Sequence, residues 1–176
     1  PNTCCRIVDP ETGEDVDPGE DGELWVQGPQ VMKGYLNNPK ATEECLGADG
    51  WLRTGDIGCI DADGYLFVRD RLKELIKFKG FAIPPAEVEA ALLTHPDVVE
   101  AGVIGVPDEE AGEIPMAFIV PRDGTEPTLD SIRAHLEPLL SHYKQIRRLR
   151  VVESIPKTAS GKILRRLLRK MMEAAD

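Results

Sequence analysis

The sequence predicts an α+β protein in two parts, a β-rich stretch over residues 1–72 and a compact α+β region over residues 73–176. Short segments of alternating apolar and polar residues, separated by Gly, Pro and Asp, fill the first part, and such segments are typical of half-buried strands. In the second part, continuous apolar runs alternate with segments of helical periodicity. The second part is also of a size that can fold alone, whereas the first has no apolar set large enough for an independent core.

The first part is interpreted as a piece of a larger lobe built from strands and one short helix. Strands are expected at residues 5–8 and 23–27. A hairpin is expected where residues 57–60 and 65–69 flank the turn sequence DADG. Residues 38–44 fit a short helix that opens with a proline in its first turn.

The second part is expected to contain four strands and three helices. Its first strand, residues 75–81, would place Lys77 and Lys79 on the same face, because side chains two residues apart on a strand point the same way. Further strands are expected at residues 98–106, 116–120 and 149–152, and helices at residues 84–94, 128–140 and 163–171.

Composition excludes several classes of protein. With 176 residues, 41% of them hydrophobic and 30% charged, and with no apolar run as long as a membrane span, the chain is expected to be globular and soluble. Its start without Met suggests a fragment of a longer chain. The four cysteines show no CxxC spacing, which favours reduced thiols in the cytoplasm over metal or disulfide roles.

The net charge of −10 is unevenly distributed. Residues 144–170 hold ten Lys and Arg against one Glu. No aromatic platform interleaves with these charges, so no nucleic-acid partner is expected. A phosphate-facing edge and a solvated helix face both remain open interpretations, and the second is the usual case.

The sequence PKTASGK, residues 156–162, predicts an exposed polar loop that carries Lys162 just before a basic amphipathic helix. A lysine held in this way suits a phosphate or carboxylate partner as a point charge. It is not a P-loop, because Pro156 stands where that motif needs glycine and Ile163 stands where it needs Ser or Thr. The alternative is a helix start with a solvated lysine.

Three further motifs carry chemistry. RTGD, residues 53–56, predicts a turn after a strand, and the Asp56 carboxylate at its tip could accept two hydrogen bonds from a vicinal diol such as ribose; a plain Asp turn is the alternative. RDRLKE, residues 69–74, reads as a charged connection between the two parts. Gly80, in IKFKGF, allows close backbone approach or an unusual dihedral, while an edge strand guarded by lysines is the alternative.

Together with GELWV, residues 22–26, and KGYL, residues 33–36, these motifs occur in an order that resembles the adenylate-forming enzymes. That superfamily contains acyl-CoA synthetases, firefly-type luciferases and the adenylation domains of peptide synthetases. The chain looks closest to the 4-coumarate–CoA ligase-like acyl-CoA ligases. The resemblance extends over residues 7–169 and implies the β-rich end of a large N-terminal lobe followed by a mobile C-terminal lobe.

The resemblance also implies an activity and residue roles. The intact parent would be an ATP-dependent carboxylate–CoA ligase that forms an acyl-adenylate and then an acyl-CoA. The implied ATP- and adenylate-binding residues are Asp56, Arg71, Lys73, Lys77 and Lys162. Lys162 is the implied catalytic residue, Lys73 the implied hinge, and Lys79 and Gly80 the implied CoA-binding residues.

The implied partners are a small carboxylic acid, ATP with Mg²⁺ on its phosphates, CoA, and the N-terminal lobe of the same parent chain. No protein metal site is expected, and the fragment alone is expected to be inactive. Ala82 departs from the glutamine of many relatives, which puts the tuning of the thioester step in doubt. A peptide-synthetase-type domain, a luciferase-like enzyme and a non-catalytic anion-binding module remain as alternatives.

Overall fold

A computed structural model of the protein describes residues 2–173. These residues form two compact units, of which the first ends at Lys73 and the second begins at Glu74. No helix within the described range is long and apolar enough to cross a lipid bilayer.

The first unit is a four-stranded antiparallel sheet with one short helix. The strands are adjacent in chain order, β1-β2-β3-β4. The elements are β1 (Cys4–Val8), β2 (Gly22–Gln27), α1 (Pro39–Cys45), β3 (Leu52–Ile60) and β4 (Leu66–Arg71).

Local sequence explains α1 and the β3–β4 hairpin. Asn38 caps α1 by accepting a hydrogen bond from the backbone N–H of Ala41 at 3.2 Å, and a proline occupies the first turn. The predicted hairpin is confirmed, with Ile60 opposite Leu66. Its turn is stabilised because the Asp61 carboxylate accepts backbone N–H groups that follow it, including that of Tyr65 at 2.8 Å.

Two predictions in the first unit need correction. Thr54, Gly55 and Asp56 do not form a turn after a strand; they lie inside β3, at a bulge where the β2–β3 register shifts. Gly55 has φ 71°, a conformation that favours glycine and lets the strand bulge without ending. The segment 69–74, predicted to be a connection between the two parts, is regular structure instead. The strand β4 continues to Arg71, and a 3₁₀ turn, Leu72–Glu74, follows it.

The second unit is a five-stranded sheet with helices on both faces. The sheet order is β6-β5-β8-β7, and β9 pairs in parallel with β8. The elements are β5 (Ile76–Phe78), β6 (Phe81–Ile83), α2 (Pro85–Leu92), β7 (Val98–Asp108), β8 (Gly112–Pro121), α3 (Leu129–Leu136), a 3₁₀ turn (His142–Lys144), β9 (Arg148–Val151) and α4 (Arg165–Glu173).

The central hairpin β7–β8 is apolar along most of its length because both of its faces are covered. On one face, Val103 and Ile119 belong to a core that also includes Val88 of α2 and Ile132 of α3. On the opposite face, Ile104, Met116 and Phe118 pack with Ile155 and with Leu168 of α4. The α+β class predicted from the sequence is confirmed.

The predicted single strand over residues 75–81 is wrong. It is a tight hairpin, in which Phe78 of β5 pairs with Phe81 of β6 and the turn consists of Lys79 and Gly80. Both turn residues have positive φ, 48° and 84°, as a two-residue type I′ turn requires. Lys77 therefore lies on a strand and Lys79 in a turn, so the two lysines do not share a strand face.

Two helices are shifted from their predicted bounds. The helix α3 begins as predicted, with a capping box between Thr128 and Ser131, but ends at Leu136 because Pro138 cannot continue it. The helix α4 begins at Arg165 rather than Ile163. The two residues before it bond back to the preceding loop, since Ile163 bridges Lys157 and the N–H of Leu164 donates to Pro156 O at 2.8 Å.

Candidate functional site

The candidate ribose-binding residues meet in the first unit. Asp56 of β3 is directly opposite Arg71 of β4, and their side chains form an ion pair with Nε and Oδ1 3.1 Å apart. The Asp56 side chain is partly exposed. A carboxylate offers about four acceptor sites, so the pair leaves Asp56 able to accept hydrogen bonds from a diol.

A buried carboxylate, Glu23, holds the bulge that presents Asp56. Its Oε1 accepts the backbone N–H of Gly55 at 3.0 Å, and its Oε2 accepts the indole N–H of Trp25 at 2.9 Å. On the same bulge, the Thr54 hydroxyl donates to Leu24 O at 2.7 Å and accepts the N–H of Asp56 at 3.0 Å. These bonds fix the backbone on both sides of Gly55.

In the second unit, the Lys79–Gly80 turn is fixed against the turn between β7 and β8. The N–H of Lys79 donates to Ala111 O at 2.8 Å, and the N–H of Lys77 donates to Glu113 Oε2 at 2.8 Å. Both lysine side chains are exposed. The turn thus presents an ammonium group and an unhindered glycine backbone on a rigid support.

Aromatic rings and cations surround this turn. Phe81 stacks on Tyr143 with ring centroids 4.7 Å apart. Lys79 Nζ lies 6.0 Å from the centroid of the Phe78 ring, and the Arg147 guanidinium lies 5.3 Å from it. Burial, with the nearby charge of Arg133, lowers the pKa of Arg147 from its usual value. The surface beside the turn is therefore aromatic and positively charged, which suits an anionic ligand.

The lysine loop, residues 156–162, is closed by its own hydrogen bonds. Thr158 exchanges bonds with Lys162: its N–H donates to Lys162 O at 2.8 Å, and its hydroxyl accepts the N–H of Lys162 at 3.1 Å. Gly161, with φ 84°, donates to Thr158 O at 2.9 Å. Lys162 therefore lies just after the tip of a tight turn, opposite Thr158.

The two lysines of the loop differ in their partners. Lys157 Nζ lies 3.0 Å from Glu100 Oε1 of β7. Within residues 2–173, the Lys162 side chain makes no ion pair or hydrogen bond, and it is exposed. Lys162 is thus a cation free to meet a ligand, on a backbone held in one conformation.

An ion pair anchors the segment that follows the loop. Arg165, the first residue of α4, donates two hydrogen bonds from Nη2 to the carboxylate of Glu89 of α2, both at 2.9 Å. Both partners also bond the backbone of Val103. Arg165 Nε donates to Val103 O at 3.2 Å, and the N–H of Val103 donates to Glu89 Oε1 at 2.9 Å. Three residues after Lys162, the chain is therefore tied to α2 and β7.

Lys73 is an exposed residue of the 3₁₀ turn Leu72–Glu74, where the first unit ends. Ala82 is exposed on β6 opposite Lys77. Within residues 2–173, no three His, Cys, Asp or Glu side chains are grouped to hold a metal ion.

Sequence reasoning missed four carboxylates, Glu23, Glu89, Glu100 and Glu113, which hold the functional segments. Glu23, Glu100 and Glu113 each had a local signal, since each is a charged residue in a strand otherwise rich in apolar residues. Their partners could not be predicted because they are far away in the sequence, such as Lys77 for Glu113 and Lys157 for Glu100. No spacing rule connects such pairs before the strand register is known.

Comparisons with known protein families, sequences and structures give consistent matches. The AMP-binding enzyme C-terminal domain matches residues 87–162, and the AMP-binding enzyme family matches residues 1–36. The chain is 52% identical over 171 residues to 4-coumarate–CoA ligase-like 4 of Oryza sativa subsp. japonica, covering 97% of this chain and 31% of that protein. It is 51% identical over 166 residues to the peroxisomal OPC-8:0-CoA ligase 1 of Arabidopsis thaliana, covering 94% and 30%.

Among solved structures, ATP-bound MatB from Rhodopseudomonas palustris superimposes with a TM-score of 0.90 at 34% identity, over 97% of this chain and 34% of that one. The chain spans about a third of the length of these relatives. Both family matches, the sequence identity and the structural likeness agree: the chain belongs to the adenylate-forming AMP-binding enzymes and includes their C-terminal domain.

Proposed function

We propose that the chain is part of an ATP-dependent carboxylate–CoA ligase. In the first half-reaction, a carboxylate oxygen attacks the α-phosphorus of ATP and pyrophosphate leaves. In the second, the thiol of CoA attacks the acyl carbon of the adenylate, loses its proton and releases AMP. Two relatives are named as CoA ligases, which supports this choice of acceptor.

The observation that carries the proposal is the contrast between the two lysines of the lysine loop. Lys157 is neutralised by Glu100, whereas Lys162 is exposed without an ion pair among residues 2–173. Bringing a carboxylate to a triphosphate joins two anions, so a positioned ammonium group lowers the barrier electrostatically. Lys162 is our candidate for that role.

The other residues are assigned by their chemistry. Asp56, paired with Arg71, would bind the ribose hydroxyls, and Lys77 would bind the adenylate. Lys79 and Gly80 would bind CoA at their rigid turn. Lys73, where the first unit ends, is our candidate hinge and a further adenylate contact.

The proposed substrates are ATP, a small carboxylic acid and CoA. Mg²⁺ would enter on the phosphates of ATP, and no residue of this chain is assigned to hold it. Because the chain spans about a third of its relatives, the acyl pocket is assigned to the rest of the full-length protein. Cys4, Cys5, Cys45 and Cys59 are free thiols, which favours a reducing compartment such as the cytoplasm.

The adenylation role of Lys162 is tested by ATP–pyrophosphate exchange in the full-length protein with a panel of carboxylic acids. Lys162→Ala should lower the exchange rate by about 10²–10³-fold, as the loss of one preorganised donor does. Lys170→Ala, which removes an exposed lysine of α4, is the matched control. Exchange that is equal in the Lys162→Ala and unmodified proteins would refute the role.

The thiol step is tested separately with purified acyl-adenylate and CoA. Lys79→Glu places a negative charge at the turn, so it should slow thioester formation by at least about tenfold more than it slows exchange. Lys170→Glu controls for the change in net charge. Equal losses of rate in both half-reactions would refute the proposed role of Lys79 in binding CoA.

Each remaining alternative predicts a different outcome for the acyl-adenylate or for the bound nucleotide. A peptide-synthetase-type domain would discharge its adenylate to a carrier-bound phosphopantetheine in preference to free CoA. A luciferase-like enzyme would consume oxygen and emit light. A non-catalytic anion-binding module would bind nucleotide without exchange.

A further inference from the structure

Two strands of one hairpin each carry a carboxylate that bonds a functional segment. Glu100 lies on β7 and Glu113 on β8. Each accepts the backbone N–H of a residue distant in sequence: Glu113 that of the candidate residue Lys77, and Glu100 that of Ile155, which directly precedes the lysine loop.

Glu100 holds the entry to the lysine loop. Its Oε2 accepts the N–H of Ile155 at 3.3 Å, and its Oε1 lies 3.0 Å from Lys157 Nζ. The hydrogen bond from Lys157 is the main reason why the pKa of Glu100 is lowered from its usual value, which shows that the charged carboxylate is favoured here. The Ile155 side chain is itself buried in the core beneath the loop.

Glu113 holds the strand that leads into the Lys79–Gly80 turn. Its Oε2 accepts the N–H of Lys77 at 2.8 Å. The carboxylate has room to do so because residue 105 on β7 is glycine. A Cβ at Gly105 would lie 2.9 Å from that same oxygen, closer than real contacts allow.

We propose that Glu100 and Glu113 are positioning residues with separate tasks, Glu100 holding Lys162 for adenylate formation and Glu113 holding the Lys79–Gly80 turn for thioester formation. Neither side chain needs to touch a substrate. Each fixes a backbone segment by a charged acceptor, and such bonds are stronger than neutral ones. Reacting groups must be held within a fraction of an ångström, so a loosened support lowers the rate of its own step. The inference rests on the proposed ligase activity.

The test compares Glu100→Ala and Glu113→Ala in the full-length protein. Glu100→Ala should lower the rate of ATP–pyrophosphate exchange by at least about tenfold and should slow the thioester step less. A misplacement of about 1 Å can cost about a hundredfold, so a loss of this size is consistent with a loosened support. Glu113→Ala should show the opposite order, with the larger loss in the reaction of acyl-adenylate with CoA. Glu153→Ala, which removes an exposed carboxylate between the two segments in sequence, is the control.

Conservative variants separate positioning from a general loss of folding. Glu113→Gln keeps an acceptor for the Lys77 N–H and should recover most of the thioester rate. Gly105→Ala leaves Glu113 in place but displaces its carboxylate, so it should reproduce the Glu113→Ala pattern. Amide hydrogen exchange should quicken over the lysine loop in Glu100→Ala and over residues 77–81 in Glu113→Ala.

Each outcome bears on a different claim. Two outcomes would overturn the division of tasks while the proposed function stands, provided that the unmodified protein is active. One is an equal loss of both half-reactions in both Ala variants. The other is amide hydrogen exchange that is unchanged at the two segments. If the unmodified protein shows no ATP–pyrophosphate exchange with any acid tested, the proposed function is overturned, and the inference with it.

Discussion

At the residue scale, the local charge of each lysine depends on which carboxylate reaches it. Lys157 and Lys162 lie five residues apart in one exposed loop, yet only Lys157 faces Glu100. The same carboxylate also bonds the backbone at Ile155, so one side chain both neutralises one lysine and steadies the loop that carries the other.

The Glu100–Lys157 pair predicts a dependence of stability on pH. The pKa of Glu100 is lower in the folded protein than its usual value of 4.5, so the unfolded chain binds the proton more readily. The pair should therefore stabilise the fold above that value and lose its effect as pH falls through the lowered folded pKa. Urea unfolding of the unmodified protein and of Lys157→Ala should differ at about pH 7 and converge as the pH falls through the lowered pKa of Glu100.

The effect should be small and weakened by salt, because both side chains are about a third exposed. A difference between the two proteins that grows as pH falls would contradict the assignment.

The buried carboxylate Glu23 predicts a larger effect. In Glu23→Gln the amide nitrogen cannot accept a hydrogen bond, so the N–H of Gly55 or the indole N–H of Trp25 loses its acceptor. A buried donor left unsatisfied costs about 1–3 kcal/mol, and because both of these hydrogen bonds are part-buried a loss near the lower end, about 1 kcal/mol, is expected. Urea unfolding of the full-length protein should show this loss, whereas the exposed Glu20→Gln control should leave stability within about 0.5 kcal/mol.

At the scale of elements, α4 is joined to the rest of its unit by both apolar and ionic contacts. Leu168 packs over Gly102 of β7, where a Cβ would come within 2.9 Å of its Cδ1. Arg165 adds the bidentate pair with Glu89, and both side chains are largely buried. The helix start, and with it the exit from the lysine loop, is therefore set by partners on α2 and β7.

Removing one member of this buried pair should be strongly destabilising. Glu89→Ala leaves the Arg165 guanidinium buried without its partner, which typically costs about 3–5 kcal/mol. Glu87→Ala provides a matched control on the same helix, because Glu87 pairs with Lys144 at a more exposed position and should contribute about 0–1 kcal/mol. Equal shifts of the urea midpoint in the two variants would show that the buried pair has no special role.

The element boundaries show where local sequence was sufficient. The start of α3, the proline entry of α1 and the DADG hairpin were all predicted, because each is stabilised by bonds within a few residues. The β5–β6 hairpin was missed. IKFKGF alternates like one strand, but the positive φ of both Lys79 and Gly80, supported by the bond of Lys79 to Ala111, reverses the chain there.

At the scale of the whole molecule, the two units differ in their cores. The second buries apolar side chains on both faces of its sheet. Among residues 2–73, the buried apolar side chains are Ile7, Val8, Leu24, Ile57 and Cys59. Small cores rarely supply enough burial for independent folding.

A protein that begins at Glu74 should therefore unfold cooperatively in urea, and one that ends at Lys73 should not. Circular dichroism across a urea titration measures both. Phe118→Ala, which empties a fully buried position, should destabilise the former by about 3–5 kcal/mol. A cooperative transition in the protein that ends at Lys73 would show that its small core suffices.

Local sequence was sufficient for the α+β class and for most of the strands and helices, because hydrophobic periodicity and capping depend on neighbouring residues. The order of the motifs resembles one superfamily, and that resemblance implies the candidate residues Asp56, Arg71, Lys73, Lys77, Lys79, Gly80 and Lys162. Tertiary structure alone decided that Asp56 sits on a bulge held by Glu23, that Lys79 is in a turn, and that Glu100 takes Lys157 and leaves Lys162 free. Arg165 and Glu89, which anchor the helix after the lysine loop, are 76 positions apart in the sequence. Such pairs exist only once strand register and helix packing bring their side chains within hydrogen-bonding distance.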